Sequence, residues 1–241
     1  MKKWILLLIG SMLIFAQFAC AQQKMVFSTI NGLSIIPVGE QILKEAYQQL
    51  GVDIRVEEYP GERSLVAANT GKTDGELGRI QGMEKEYSNL VMVPVPLFEL
   101  SVSAFSNQAI SINTVDDLKK YRIGFVGGTK VVEGMTADFP NRLRVGRPDQ
   151  LFQMLLLGRI DVALDMTEDG LIVLQSDKYK TIKMISPKLV KANIYHYLNK
   201  KHADVLPAIT KVMQTMLDNG TFKKEQDAFW AKSIPSQTPY K

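Results

Sequence analysis

Two stretches of this chain read almost alike: Gly71-Lys72-Thr73-Asp74-Gly75-Glu76-Leu77 and Gly158-Arg159-Ile160-Asp161-Val162-Ala163-Leu164. Each follows an apolar helical run, Leu65 to Ala68 in the first case and Leu151 to Leu157 in the second. Each leads into a short strand with a charged residue at or near its far end, Arg79 or Asp165. Helix, glycine turn, aspartate and buried strand make one crossover of a parallel α/β sheet. The unit seen twice predicts two similar lobes; the simpler alternative is two unrelated βα units that share Gly and Asp. Ligands of open α/β sheets gather at the carboxyl ends of strands, so a cleft between two such lobes is the place for a small molecule.

The 241 residues suffice for one large or two small domains, and 46% hydrophobic with 22% charged residues is an ordinary globular composition. The first twenty-one residues differ. Lys2 and Lys3 precede an apolar run from Trp4 to Phe15, and Ala19-Cys20-Ala21 offers small residues where a signal peptidase reads. This layout predicts a secretory signal peptide over 1–21, with an apolar core too short for a comfortable membrane span. The rival reading makes Cys20 a lipid attachment site, but Gln17-Phe18-Ala19 lacks the usual Leu and small residue. Cleavage after Ala21 removes the only cysteine, and with it any disulfide, thiolate or cysteine-metal chemistry. It also lowers the formal charge from +4 to +2 by taking Lys2 and Lys3. With no basic stripe interleaved with aromatics, nucleic acid is not an expected partner.

Along the remaining chain, strands are predicted at Met25–Phe27, 52–56, 74–80, 90–93, 121–126, 143–145, 161–164 and 181–185. Helices are predicted from Pro37 to Gly51, from about 60 to 69, from Pro148 to Gly158, near 168–175, and at 203–217 and 221–230. Pro94 and Pro96 are expected to close the strand at 90–93. The alternating segment 99–105 carries the chain out of the first lobe, and 194–198 is a second crossing. Asn113-Thr114-Val115-Asp116-Asp117 has the form of a helix cap with acids in its first turn.

The order of these pieces resembles the bacterial extracellular solute-binding proteins of family 3, with the type II periplasmic binding protein fold. The resemblance spans the chain after residue 21. It is carried by Tyr59-Pro60-Gly61-Glu62-Arg63-Ser64-Leu65, the two repeats, Val93-Pro94-Val95-Pro96-Leu97, Asp117-Leu118 with Tyr121-Arg122-Ile123-Gly124-Phe125, Gly127-Gly128-Thr129, and Met216 to Phe222. It implies an α/β architecture of two βα lobes joined by two hinge crossings, with 22–98 and 195–241 in the first lobe and 99–194 in the second. It also implies a monomer in the periplasm that closes over a small polar, carboxylate-bearing or amino-acid-like ligand. An inner-membrane ABC permease or a sensor receptor would read the closed shape. No cofactor, metal or catalysis is expected.

Gly127-Gly128-Thr129-Lys130 lies between a strand and a helix containing Val131 and Val132. Its backbone N–H groups and the Thr129 hydroxyl suit an anion; the alternative is a plain turn. Arg79 presents a planar donor fork to a carboxylate or phosphate, unless it is an exposed arginine paired with Glu76 or Glu84. Arg63, in a helical first turn, is a weaker candidate because a cation sits poorly there. Asp165 offers an acceptor for an ammonium group. Two departures from amino-acid-binding relatives concern this set: their acid falls one place later, where this chain has Met166, and their carboxylate-binding arginine falls where it has Glu86. Both put an ordinary α-amino acid in doubt. A second hypothesis is a dehydratase acting on cyclic carboxylates (cyclohexadienyl-dehydratase-like), with Glu76, Glu86 or Asp165 as acid or base. A third is a receptor-kinase ligand sensor without transport. His196 and His202 form no metal-ligand pattern.

Overall fold

The computed structural model describes residues 23–234. The signal peptide expected at 1–21, Cys20 within it, and residues 235–241 lie outside the described residues.

Residues 23–80 form a β-α-β-α-β block: β1 (Gln23–Ile30), α1 (Ile36–Gln48), β2 (Val52–Tyr59), α2 (Arg63–Asn69) and β3 (Gly75–Ile80). After β4 (Leu90–Ser106) the same order returns in β5 (Ile123–Val126), α3 (Lys130–Met135), β6 (Arg142–Val145), α4 (Pro148–Leu156) and β7 (Val162–Met166). Then come α5 (Thr167–Val173), β8 (Lys183–Asn199), α6 (Leu206–Asp218) and α7 (Thr221–Ser233). The sheet order β2-β1-β3-β8-β4-β7-β5-β6 shows the repeat directly. In each block the first strand pairs in parallel with the other two, β1 with β2 and β3, β5 with β6 and β7. The two blocks flank an antiparallel ribbon of β4 and β8. The likeness noticed in two heptapeptides thus extends over two whole βαβαβ units.

The repeated aspartates explain why the sequence signal is sharp there. Asp74 N–H donates to Val26 O at 2.6 Å, while its Oδ2 accepts from Val26 N at 2.8 Å. Asp161 N–H donates to Arg122 O at 2.7 Å, and its Oδ2 accepts from Arg122 N at 2.9 Å. Each carboxylate satisfies an amide in the first strand of its block (Val26) or just before it (Arg122) that its own backbone N–H cannot reach, and so ties the start of the third strand to the first.

β4 and β8 differ from the expectation. Each is a single strand of 17 residues rather than two short ones. Pro94 and Pro96 do not end β4, because the pairing with β8 shifts between Met92 and Pro96 and again between Pro96 and Phe98. Bulges of this kind absorb residues that cannot donate to a ladder. β8 pairs with β3 through 194–198, whereas β4 pairs with β7 through 102–105. The two strands therefore pass from one block to the other.

α6 packs on α1 and β4, and α7 on α1 and α6, so the last two helices cover the first block. One apolar core runs from Met25, Phe27 and Leu43 across the central strands to Ile123, Phe125 and Val162. A separate cluster around Phe105, Phe152 and Ile160 lies in the second block. Burying one such side chain is worth about 1.5–3 kcal/mol. Among the described residues no helix is long and apolar enough to cross a membrane.

Candidate functional site

Arg79 and Glu76 are three apart on β3 and would point to opposite faces of a regular strand. They meet because the ladder shifts between them: Glu76 lies opposite Tyr197 and Arg79 opposite Tyr195, so three steps on β3 span two on β8. This bulge brings Arg79 Nε to 2.7 Å from Glu76 Oε1, both groups being buried. Ser28 and Ser64 hydroxyls also donate to Glu76, at 2.7 and 3.1 Å. Burial pushes the Glu76 carboxyl upward, and the Arg79 charge and these hydrogen bonds offset only part of that. The pairing with Glu76 is the alternative weighed above, but in the interior rather than on the surface.

The rest of the Arg79 fork spans the two lobes. Nη1 donates to Gly128 O at 3.3 Å, and Nη2 donates to Ser64 Oγ and, at 3.5 Å, to Gly61 O. Gly61 and Gly128 themselves touch. Both have positive φ, +49° and +89°, and a Cβ on Gly128 would lie 2.6 Å from Gly61 Cα. Only glycine permits that approach with that backbone. Arg79 and the 127–130 turn therefore face each other, as their candidacy for a shared anion required, but they are in direct contact. The Gly128 N–H is taken by Glu133 Oε1 at 2.9 Å.

Lys130 opens α3 and reaches the other lobe. Its Nζ lies 3.3 Å from Glu62 Oε1 and 3.4 Å from Glu86 Oε1, with Glu133 at 3.9 Å. Tyr87 donates to the same Glu62 oxygen, and this bond, with the nearby Lys130, holds the Glu62 carboxyl low against burial. The acid that replaces the expected arginine, Glu86, thus faces a lysine of the opposite lobe. Another bridge joins Ser34, just before α1, to Asp169 in α5: the Ser34 N–H donates to Oδ1 at 2.9 Å, and its hydroxyl donates to the same atom.

Between these contacts lies a cavity of about 50 Å³. Arg79, Thr129 and Lys130 line it together with Thr29, and its remaining walls are apolar, among them Ile30, Leu33, Phe98, Val131, Met166 and Ile194. Asp165 does not line it. Successive strand residues point to opposite faces, and Met166 is the one facing the cavity. Asp165 is buried, accepts from Met166 N through Oδ1 at 2.9 Å, and leaves Oδ2 without a hydrogen-bond partner among the described residues. Burial, then the neighbouring Asp169 charge, raises its carboxyl well above the usual range; burial and Glu168 raise Asp169 to about 6. Arg63 is exposed and outside the cavity. His196 is buried between Tyr47 Oη, 2.9 Å from Nε2, and Glu76 O, 2.8 Å from Nδ1, and burial lowers it to about 4. His202 binds Asp74.

Sequence reasoning missed Glu62, Tyr87 and Ser34 as parts of the closure. Their contacts depend on how the lobes meet, which no local pattern encodes. Gly61 had a visible signal, a Pro-Gly pair before a helix.

No family model matches the chain. A protein of Shewanella oneidensis without a characterised function is 28% identical over 193 residues, covering 77% of this chain and 73% of that one. Among solved structures, a histidine kinase sensor domain with similarity to periplasmic binding proteins superposes with a TM-score of 0.74 at 10% identity. It covers 87% of this chain and 97% of the sensor domain. The substrate-binding protein of an amino acid ABC transporter gives 0.69 at 18% identity, over 86% and 98%. The repeated βαβαβ blocks, the two long crossing strands and these superpositions agree: the chain has the two-lobed fold of the type II periplasmic binding proteins.

Proposed function

We propose that this chain is a non-catalytic, extracytoplasmic solute-binding protein that closes its two lobes over one small molecule. The observation that carries the reading is the cavity at the lobe junction, lined from one side by Arg79 and from the other by Thr129 and Lys130. Closure by hinge motion needs contacts that exist only when the lobes meet. Arg79 to Gly128, Lys130 to Glu62 and Glu86, and Ser34 to Asp169 are contacts of that kind. In this reading 22–98 with 195–241 forms one lobe and 99–194 the other. Arg79, Thr129 and Lys130 face the ligand, and Gly128 is the point of closure. Asp165 acts through its neighbour Asp169, and Arg63 stays outside. The leader at 1–21 directs export to the periplasm, where the protein works as a monomer.

A membrane permease or a sensor would read the closed form. The likeness to a sensor domain supports the second as much as the likeness to a transporter's binding protein supports the first. A dehydratase is less well supported, because no carboxylate lines the cavity: Glu76 is tied to Arg79 and Glu86 to Lys130. Incubation with prephenate or arogenate, followed for aromatic product, tests that rival. The binding reading is tested by a thermal-shift screen of small acids, amino acids, amines and sugars, since a ligand of the folded state raises the melting temperature. No shift with any compound contradicts it.

A further inference from the structure

We propose that the interlobe cavity takes a short aliphatic carboxylate and excludes α-amino acids. This rests on the binding reading above and narrows its ligand. The charged side chains that line the cavity are both cations, Arg79 and Lys130, and the other polar side chains there are the hydroxyls of Thr29 and Thr129. No Asp or Glu lines it. Both cations already have acceptors outside the cavity, Glu76 for Arg79 and Glu62 with Glu86 for Lys130, but the side chains facing the space are donors, and a ligand carboxylate brings two acceptors to them. Thr129 suits it further: it lines the cavity, and its hydroxyl makes no hydrogen bond within the protein among the described residues.

The other walls decide what the ligand's body is. Ile30, Leu33, Leu77, Phe98, Met166 and Ile194 surround the space with hydrocarbon. An α-ammonium group placed there would find no carboxylate in the cavity wall to pair with, because Glu76 is tied to Arg79, and Glu62 and Glu86 to Lys130; a buried charge without a counter-charge is strongly unfavourable. The carboxylate on the adjacent strand position, Asp165, points to the other face of β7 and cannot serve. Size sets the length. A water-sized position takes about 10–15 Å³ on this scale, so 50 Å³ admits a chain of only a few carbons beside the head group.

The test compares three molecules of one carbon skeleton on the exported chain by titration calorimetry: 3-methylbutanoate, valine and 3-methylbutylamine. The acid is expected to bind, valine to bind at least about tenfold more weakly, and the amine to give no heat. Lys130→Gln is expected to weaken the acid about tenfold, whereas Arg63→Gln leaves it unchanged. Valine or the amine binding as tightly as the acid overturns the inference, as does unchanged affinity in Lys130→Gln. If a polar amino acid or sugar from the thermal screen binds and the acid does not, the inference falls while the binding reading stands. If nothing in the screen binds, both fall.

Discussion

The ends of β3 and β7 began as the same motif and finish differently. Both strands start from an aspartate that pins the neighbouring strand, Asp74 holding Val26 and Asp161 holding Arg122. At its far end β3 bulges, pairs Glu76 with Arg79, and surrounds the pair with two serine hydroxyls. β7 carries Asp165 one place before its end; it has Asp169 for a neighbour and no cation in contact among the described residues. The scaffold half of the repeat is therefore shared, while the charge half is not. One lobe carries a compensated ion pair that reaches across to Gly128. The other carries two buried carboxylates, Asp165 and Asp169, whose burial and neighbouring negative charge raise them above the usual range.

The compensated end should fail most severely when one partner is removed. Arg79→Met leaves Glu76 buried beside serines alone and is expected to cost about 3–5 kcal/mol of stability in urea unfolding. Adding Glu76→Gln to that variant should recover much of the loss. A single-variant loss below about 1 kcal/mol would show that the pair is hydrated, and would erase the contrast with β7.

Next in size is the glycine contact. Gly128→Ala combines an unfavourable φ with a Cβ driven against Gly61 Cα, so affinity for the ligand found by thermal screening should fall by about 1–3 kcal/mol. Gly158→Ala, at φ +63° with nothing within 4 Å, should cost about 1 kcal/mol of stability through its backbone alone. It should not change affinity. Equal effects of the two variants on binding would remove Gly128 from the closure.

The uncompensated end predicts a smaller effect with a definite sign. A carboxyl whose folded pKa is raised binds its proton more tightly in the folded state, so its unfavourable contribution appears as pH rises. Asp169, raised to about 6, and Asp165, raised well above its usual range, should penalise folding increasingly from about pH 4 upward. Asp165→Asn should stabilise the protein by roughly 1 kcal/mol near pH 8, and the gain should shrink toward pH 5. His196, lowered to about 4, acts oppositely below about pH 6.5 but is common to both proteins. The difference in melting temperature between variant and wild type is thus the quantity to follow. A difference independent of pH would mean Asp165 does not titrate in this range.

The fold was legible because its signals are local. The Gly-x-x-Asp turn, the Pro37 helix start, the Thr114–Asp117 capping box and the Asn219-Gly220 break each encode one element boundary, and each is found in place. Prolines 94 and 96 misled because a bulge in a long paired strand tolerates them, and the bulge is set by β8, nearly a hundred residues away in sequence. Part of the cavity's lining was legible. Arg79, Thr129 and Lys130 stand at strand and helix ends, where α/β sheets present groups to a cleft. The faces were not legible: that Met166 rather than Asp165 looks into the cavity depends on the register of β7 against β4.

Motion of one lobe against the other is the claim on which the rest depends. Val66 and Leu143 are exposed, one on α2 and the other on β6, and residues 23–234 contain no cysteine. Cysteines placed at both positions can be spin-labelled and their separation measured in the free protein and with the ligand from the thermal screen. The account predicts a distance distribution that shortens and narrows when ligand is added. A distribution unchanged by a ligand that calorimetry shows to be bound would contradict it.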